Sequence, residues 1–322
     1  MIKNINYKFN KNINKIIQEE QIKSILVAIS GGQDSLCLIQ LIENFNKTKM
    51  SSKILIEYIY IDHQWKTSCK NQVHYIINYI QSLRKTIAIY QIQKKCHNEA
   101  EARIARYKAI ISHAKNNSYN AIITGHSKTD KNETFLYQAI RGSSVEGLNN
   151  LIARKKINDN IYLIRPLLIF NRQNIEWLCR NSSLPIWSDT TNYYYEIYRN
   201  KIRYEIVPYC QKYLKYNYNF YCNLFFRKTH QENEYIKQIA IKLYIKSRHI
   251  KYIALNKILI EKQHQAIQCR ILQLFFQHNF NKTPNKFLII KLTQLISLRN
   301  INKKIHWNKI EINITNKWIY IL

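Results

Sequence analysis

The chain has 322 residues, with 50 Lys+Arg against 20 Asp+Glu and hence a formal net charge of +30. That length accommodates one large domain plus a smaller one, and a charge of that size calls for a polyanionic partner, nucleic acid being the usual one. The seven cysteines are scattered and contain no C-x-x-C pair, which argues against a disulfide framework or a zinc ribbon and suits a reducing compartment.

No apolar run reaches the length of a membrane span. The first 24 residues, rich in Asn and Lys, have neither a signal-peptide core nor the Arg/Ser bias of a transit peptide. Residues 25–29, Ile25-Leu26-Val27-Ala28-Ile29, read as a buried parallel strand. Leu36, Leu38, Ile39, Leu41 and Ile42 follow at helical spacing and predict a helix that starts near Asp34 or Ser35. Between strand and helix stands Ser30-Gly31-Gly32-Gln33-Asp34-Ser35, which holds two of the chain's five glycines. Glycines let backbone N–H groups close around an anion, and a helix N-terminus adds partial positive charge. Ser30 and Ser35 offer hydroxyls to phosphate oxygens. Asp34 would repel phosphate, so it either holds a Mg²⁺ ion or caps the helix. A plain Gly-Gly turn with a Ser/Asp cap is the other reading, and the flanking strand and helix favour the anion site. The GxxxxGK[ST] spacing of a Walker loop is absent.

Residues 53–62 form a second expected strand ending at Asp62-His63, and 68–84 a helix. A strand at Ile87–Ile92, a helix at Glu99–Lys115 and a strand at Ala121–Thr124 complete an alternation that predicts an α/β, Rossmann-like, mostly parallel sheet. Ligands in such sheets sit beyond the carboxyl ends of the strands. Ser30, Asp62 and His126 all follow strand ends, so they converge on one rim. Asp130 and Glu133 then lie three apart and share a helix face. They either serve the rim, by binding Mg²⁺ or accepting protons from an amine, or form an ordinary helix start in which Asp130 stands near the N-cap and Glu133 completes a capping box. Pro166, Pro185 and Pro208 punctuate 151–210, read as a loop-rich extension of a first domain covering 1–210. Residues 211–322 read as a small, mainly helical second domain ending in strand-like alternation at Ile310, Ile312 and Ile314.

Ser30–Ser35 resembles the PP-loop of the ATP-pyrophosphatase superfamily, whose members cleave ATP between the α and β phosphates. Five ordered motifs narrow the resemblance to the tRNA(Ile)-lysidine synthase family: the PP-loop, Ala102-Arg103-Ile104-Ala105-Arg106-Tyr107, Thr124-Gly125-His126 through Leu148, Arg165-Pro166-Leu167-Leu168 with Asp189-Thr190-Thr191-Asn192, and Arg199-Asn200-Lys201-Ile202-Arg203. The family often has paired aspartates where Thr129-Asp130 stand, Gln at Lys131 and Ser at Thr191. Only Asp130 inherits the aspartate role.

The resemblance implies ATP as the activating nucleotide, Mg²⁺ at Asp34, L-lysine as co-substrate and an isoleucine tRNA with a CAU anticodon as acceptor. The base's C2 oxygen would be adenylated and AMP then displaced by the lysine amine. It further implies that Ser30, Gly31, Gly32, Gln33, Asp34, Ser35, Asp62 and His126 bind the nucleotide. Asp34, Asp130 and Glu133 would do the chemistry, and Arg103, Arg106, Arg141, Arg199 and Arg203 would meet phosphate or RNA. Asp189 and Asn192 would shape a loop, and 211–322 would bind tRNA. Two rivals are a PP-loop tRNA thiolase, which needs cysteines at the ATP rim, and a non-catalytic basic RNA-binding protein. The excess of Ile, Asn, Lys and Tyr matches an AT-rich genome, and the expected setting is the plastid stroma, with no membrane.

Overall fold

The structure is a computed structural model that describes residues 2–48, 54–62, 69–92, 99–148, 151–158, 160–186, 198–213, 218–298, 302–308 and 310–321. The chain divides into two compact units, Met1–Cys222 and Asn223–Leu322, whereas the sequence reading set its boundary at 210/211. The Asp189 and Asn192 expectations lie outside the described residues.

The first unit opens with helix α1 (Ile2–Glu19), which the sequence reading left without structure. Its Ile5, Phe9, Ile13, Ile16 and Ile17 are buried, an i, i+4, i+8, i+11, i+12 stripe that fits a helix face. Strand β1 (Ser24–Ile29) and helix α2 (Gln33–Thr48) follow, then β2 (Leu55–Asp62), α3 (Cys69–Ser82), β3 (Ile87–Gln91), α4 (Glu99–Asn116), β4 (Ala121–Thr124) and α5 (Lys128–Ile140). The expected bounds of β2, α3, β3, α4 and β4 agree within two residues at their described ends. After α6 (Val145–Leu148), the stretch expected to be loop-rich adds two short strands, β5 (Arg154–Asn158) and β6 (Ile161–Ile164). It then gives helix α7 (Arg172–Asn181) and a helical run of α8 (Tyr198–Lys201), a π-helical turn (Ile202–Ile206) and α9 (Val207–Tyr213).

The sheet order is β3-β2-β1-β4-β6-β5, parallel throughout except for the antiparallel β5–β6 pair. One face packs Val27, Tyr58 and Tyr60 against α1, α2 and α7 residues such as Phe9, Leu38, Leu41 and Leu178. The other packs Leu26, Ile59, Ile61 and Ile122 against Ile110 and Ala114 of α4. Strands buried on both faces explain why β1 and β4 read as unbroken apolar runs. The chain leaves β1 toward β2 and β3, then returns to place β4 on β1's other side. That reversal is the switch point where α/β sheets open a crevice.

The second unit begins within α10 (Tyr218–Ser247) and contains β7 (Ala254–Asn256), α11 (Lys257–Glu261), α12 (Gln265–Phe280), α13 (Lys286–Ile296), β8 (Lys303–Trp307), β9 (Ile310–Ile314) and β10 (Trp318–Ile321). Helices dominate it, and the alternating C-terminal segment forms an antiparallel sheet of order β7-β10-β9-β8. Ile305, Ile312, Ile314 and Ile319 turn inward onto Phe275, Phe276 and Leu292.

Candidate active site

At the switch point Ala28 of β1 pairs with Thr124 of β4, so the loops after these strands leave the sheet side by side. Gly31 sits at φ +77°, and a Cβ there would lie 2.7 Å from Cδ1 of Ile76. Both the backbone and the space require glycine. Gly125 serves the neighbouring loop differently: its absent Cβ would stand 3.3 Å from the Asp34 carbonyl oxygen, so the two loops pass in close contact.

The first loop is closed on itself. The Ser30 N–H donates to Oγ of Ser35 at 3.0 Å, and the two serine hydroxyls share a 2.9 Å hydrogen bond. From α3, Gln72 Nε2 donates to the Ser30 carbonyl at 2.9 Å. Nε2 of Gln33 is buried and finds no acceptor among the described residues. The loop therefore presents helix-start N–H groups, hydroxyls and one unused amide donor, a set suited to an oxyanion.

Beside it lies a cavity of about 170 Å³. Ser30, Asp34, Ser35, Gly125 and His126 line its polar side, Ile59, Ile61 and Ile110 its apolar floor, and Arg106 and Tyr107 of α4 its flank. Asp62, at the end of β2, is nearly buried and does not line this cavity: the pleat that turns Ile59 and Ile61 inward sends residue 62 to the other face of the sheet. Arg103 and Arg106 stand with their guanidinium carbons 5.3 and 6.0 Å from the Tyr107 ring centroid. Arg141 stays at the far end of α5, where it donates to the Tyr137 hydroxyl at 2.9 Å and covers that ring.

Ser127 is the N-cap of α5, and Asp130, not Glu133, completes the capping box. Oδ2 of Asp130 accepts from the Ser127 N–H at 2.8 Å and its hydroxyl at 2.9 Å. Its other oxygen faces inward, where Arg199 Nη2 reaches it at 3.0 Å and Arg203 Nη2 at 3.4 Å. Glu133, one turn on and wholly buried, takes Arg203 Nε at 2.7 Å and Arg199 Nε at 3.3 Å. In the helix-start reading Asp130 thus fills the capping-box place expected of Glu133, and the same carboxylate still meets the two cations. Arg199 and Arg203, expected from the resemblance to meet phosphate or RNA, here pair with carboxylates of α5. That they pair with both carboxylates depends on tertiary placement.

At Asp130 burial raises the carboxyl, but Arg199, the Ser127 N–H and Arg203 together outweigh it and hold the group below the usual range. Burial likewise opposes the charge on Arg203, yet the Glu133 hydrogen bond and charge lift its pKa above the ordinary value. Asp34 differs. Burial first and the Asp130 charge second push it up to about 7, against the pull of Arg172 and Arg203. His126 is driven the other way, to about 3, by burial and by Arg165, Arg103 and Arg199, despite the opposing Asp130. Its imidazole is neutral at pH 7, and Nδ1 shares a 3.0 Å hydrogen bond with the Thr124 hydroxyl.

Sequence reasoning missed Gln72, which reaches the loop from α3, and Arg172 of α7, whose charge acts on Asp34; neither carries a local motif. Among the described residues no group of three or more His, Cys, Asp or Glu is arranged to hold a metal. Cys37 is no reactive thiol: it is buried, and its hydrogen bond with Cys179, together with burial, raises its pKa far above the ordinary thiol range. That removes the feature a thiolase reading needs from Cys37, while the Cys69 side chain lies outside the described residues.

The PP-loop domain family matches residues 5–210. Over 299 residues the chain is 48% identical to the chloroplastic tRNA(Ile)-lysidine synthase of Gracilaria tenuistipitata var. liui, covering 92% of each chain. It is 32% identical to the tRNA(Ile)-lysidine synthase of Nostoc sp., covering 86% of this chain and 84% of that one. Among solved structures, the U34-tRNA thiolase NcsA from Methanococcus maripaludis aligns with TM-score 0.59 at 15% identity, over 72% of this chain and 78% of its own, a likeness of fold alone. The ordered motifs, the closed loop at the switch point and these identities agree, and the chain belongs to the tRNA(Ile)-lysidine synthase family of PP-loop enzymes, ligases that form a carbon–nitrogen bond.

Proposed function

We propose that this chain joins L-lysine to C2 of the wobble cytidine in a CAU-anticodon isoleucine tRNA, in the plastid stroma, with ATP converted to AMP and pyrophosphate. The observation that carries the reading is the facing of two unlike charge sets across one switch point: the Ser30–Ser35 loop with Asp34, and the Asp130–Glu133–Arg199–Arg203 quartet.

Residues Gly31–Ser35 take the β and γ phosphates on backbone N–H groups and serine hydroxyls, and the amide of Gln33 supplies a further donor. Ile59, Ile61 and Ile110 give the adenine an apolar bed, and Arg106 faces the α-phosphate side. Asp34 fits a Mg²⁺ ion, which is usually held by one or two carboxylates plus substrate phosphates. When bound there, the ion would neutralise charge on the phosphates. Neutral His126 offers hydrogen bonding without adding charge.

The C2 oxygen attacks the α-phosphorus and pyrophosphate leaves, so the base carries AMP as a leaving group. An amino acid is a zwitterion, and the quartet has both complements: Asp130 and Glu133 for its ammonium groups, Arg199 and Arg203 for its carboxylate. The carboxylates orient the lysine and hold the proton its attacking amine must lose. The amine forms the bond to C2 and AMP departs.

The reading is tested with purified protein, ATP, Mg²⁺ and labelled lysine. Label is expected only in CAU-anticodon isoleucine tRNA. Incorporation of sulfur instead, or no lysine transfer to the authentic tRNA, overturns it.

A further inference from the structure

The helical run that carries Arg199 and Arg203 into the site has a second population of side chains that this chemistry does not use. Asn200, Ile202 and Val207 are buried. Tyr198, Tyr209 and Tyr213 are instead 72%, 64% and 59% exposed. Tyrosine normally buries much of its ring or finds a partner for its hydroxyl, so three largely bared rings on sixteen residues of helix call for an explanation.

Two of them form a unit. Tyr209 and Tyr213 lie one turn apart with ring centroids 4.3 Å apart and planes inclined by 35°. Lysines stand over the exposed rings: Lys212 Nζ lies 5.3 Å from the Tyr213 centroid and Lys201 Nζ 5.9 Å from that of Tyr198. Bare rings interleaved with cations are the makings of a stacking platform for unpaired nucleotides, whose bases offer a π-face whatever their identity. A protein partner would instead favour an apolar surface depleted of lysine.

Position selects the occupant. Along a helix at about 1.5 Å per residue, Tyr209 and Tyr213 lie about 9 and 15 Å from Arg203. A stacked strand rises about 3.4 Å per nucleotide. A base delivered to the quartet therefore leaves nucleotides about three or four steps away at the level of these rings. Stem nucleotides are already stacked in a duplex, so the platform selects loop nucleotides.

We propose that Tyr209 and Tyr213, flanked by Lys212, form a stacking platform that grips unpaired anticodon-loop nucleotides neighbouring the base under modification. The proposal rests on the RNA-modifying reading above and adds how the loop is splayed and held. It gives the α8–α9 run two tasks: its arginines face the reacting centre and its tyrosines face the rest of the loop.

The test compares Tyr209→Ala/Tyr213→Ala with Tyr209→Phe/Tyr213→Phe in the full-length protein. The probes are a fluorescent RNA hairpin carrying the CAU loop and a loopless duplex of the same stem, with affinity read by anisotropy at one fixed salt concentration. The alanine pair is expected to bind the hairpin about tenfold more weakly, the phenylalanine pair to bind like wild type, and both to leave duplex binding unchanged. In lysine transfer, the alanine pair should raise KM for tRNA while leaving KM for ATP in place. Equal hairpin affinity for the alanine pair and wild type overturns the proposal, as does an equal loss on the duplex. So does a change in self-association by sedimentation without loss of RNA affinity, which would make the patch a contact between copies. Wild type that transfers no lysine but shows the alanine–phenylalanine difference overturns the reaction and keeps the platform; transfer without that difference does the reverse.

Discussion

Asp34 and Asp130 are neighbouring carboxylates whose pKa values are pushed in opposite directions, and their surroundings explain why. Asp130 faces two guanidinium groups and two donors from Ser127, whereas Asp34 is pushed up to about 7 by burial and by Asp130 itself. The division of labour predicts that Asp34→Ala abolishes pyrophosphate release. Asp130→Asn keeps an acceptor for the cap and should retain adenylation within a few fold while weakening lysine transfer about tenfold or more. Pyrophosphate release and lysine incorporation, measured side by side, check this; equal loss of both steps in Asp130→Asn contradicts it. His126 yields a pH prediction. Its folded pKa, about 3, lies below the unfolded value of about 6.5, so its contribution to stability is full above pH 6.5 and is lost as pH falls toward 3. Between pH 7.5 and 5 wild type should lose about 2 kcal/mol that His126→Gln does not. Urea unfolding at the two pH values decides, and parallel losses in both proteins would remove burial of His126 as the cause. At this scale the motif residues were legible because their chemistry is local: a serine beside glycines, or an aspartate at a helix start. Arg172 and Gln72 were not, because one long side chain arriving from a distant helix leaves no mark on its neighbours in sequence.

Elements were legible wherever hydrophobic period and punctuation agreed. Strand β4 was read to the residue, since four consecutive buried positions from Ala121 to Thr124 end at a glycine. The β1–α2 junction was placed within two residues for the same reason. Helix α1 was passed over although Ile5, Phe9 and Ile13 mark every fourth position, because the surrounding asparagines and lysines resemble a composition rather than a face. Strand β5 was not legible, because four of its five positions are exposed and it carries no apolar alternation. The loop between β1 and α2 carries the sharpest prediction here. Gly31→Ala must adopt φ +77° and push against Ile76, whereas a Cβ on Gly32 meets only Ser30 Oγ at 3.8 Å. Gly31→Ala should therefore cost about 2 kcal/mol of stability and Gly32→Ala less than half of that by thermal unfolding. Similar losses for the two would show that the loop does not depend on its left-handed residue.

On the scale of the molecule, the parallel sheet was legible from the alternation of strands and helices, and the order β3-β2-β1-β4 follows from right-handed crossovers with one reversal. What alternation cannot supply is the second unit's architecture, where β7 joins a sheet whose other strands lie more than forty residues later. The net charge of +30 agrees with an RNA substrate, and no helix among the described residues is long and apolar enough to cross a membrane. The central claim is topological: the reversal between β1 and β4 makes the nucleotide site, and the Gly31–Ser35 turn holds the phosphates. A crystal structure with a non-hydrolysable ATP analogue measures this directly. The account predicts the triphosphate against Gly31–Ser35 and the adenine over Ile59 and Ile61; a nucleotide bound elsewhere, with that turn vacant, contradicts it.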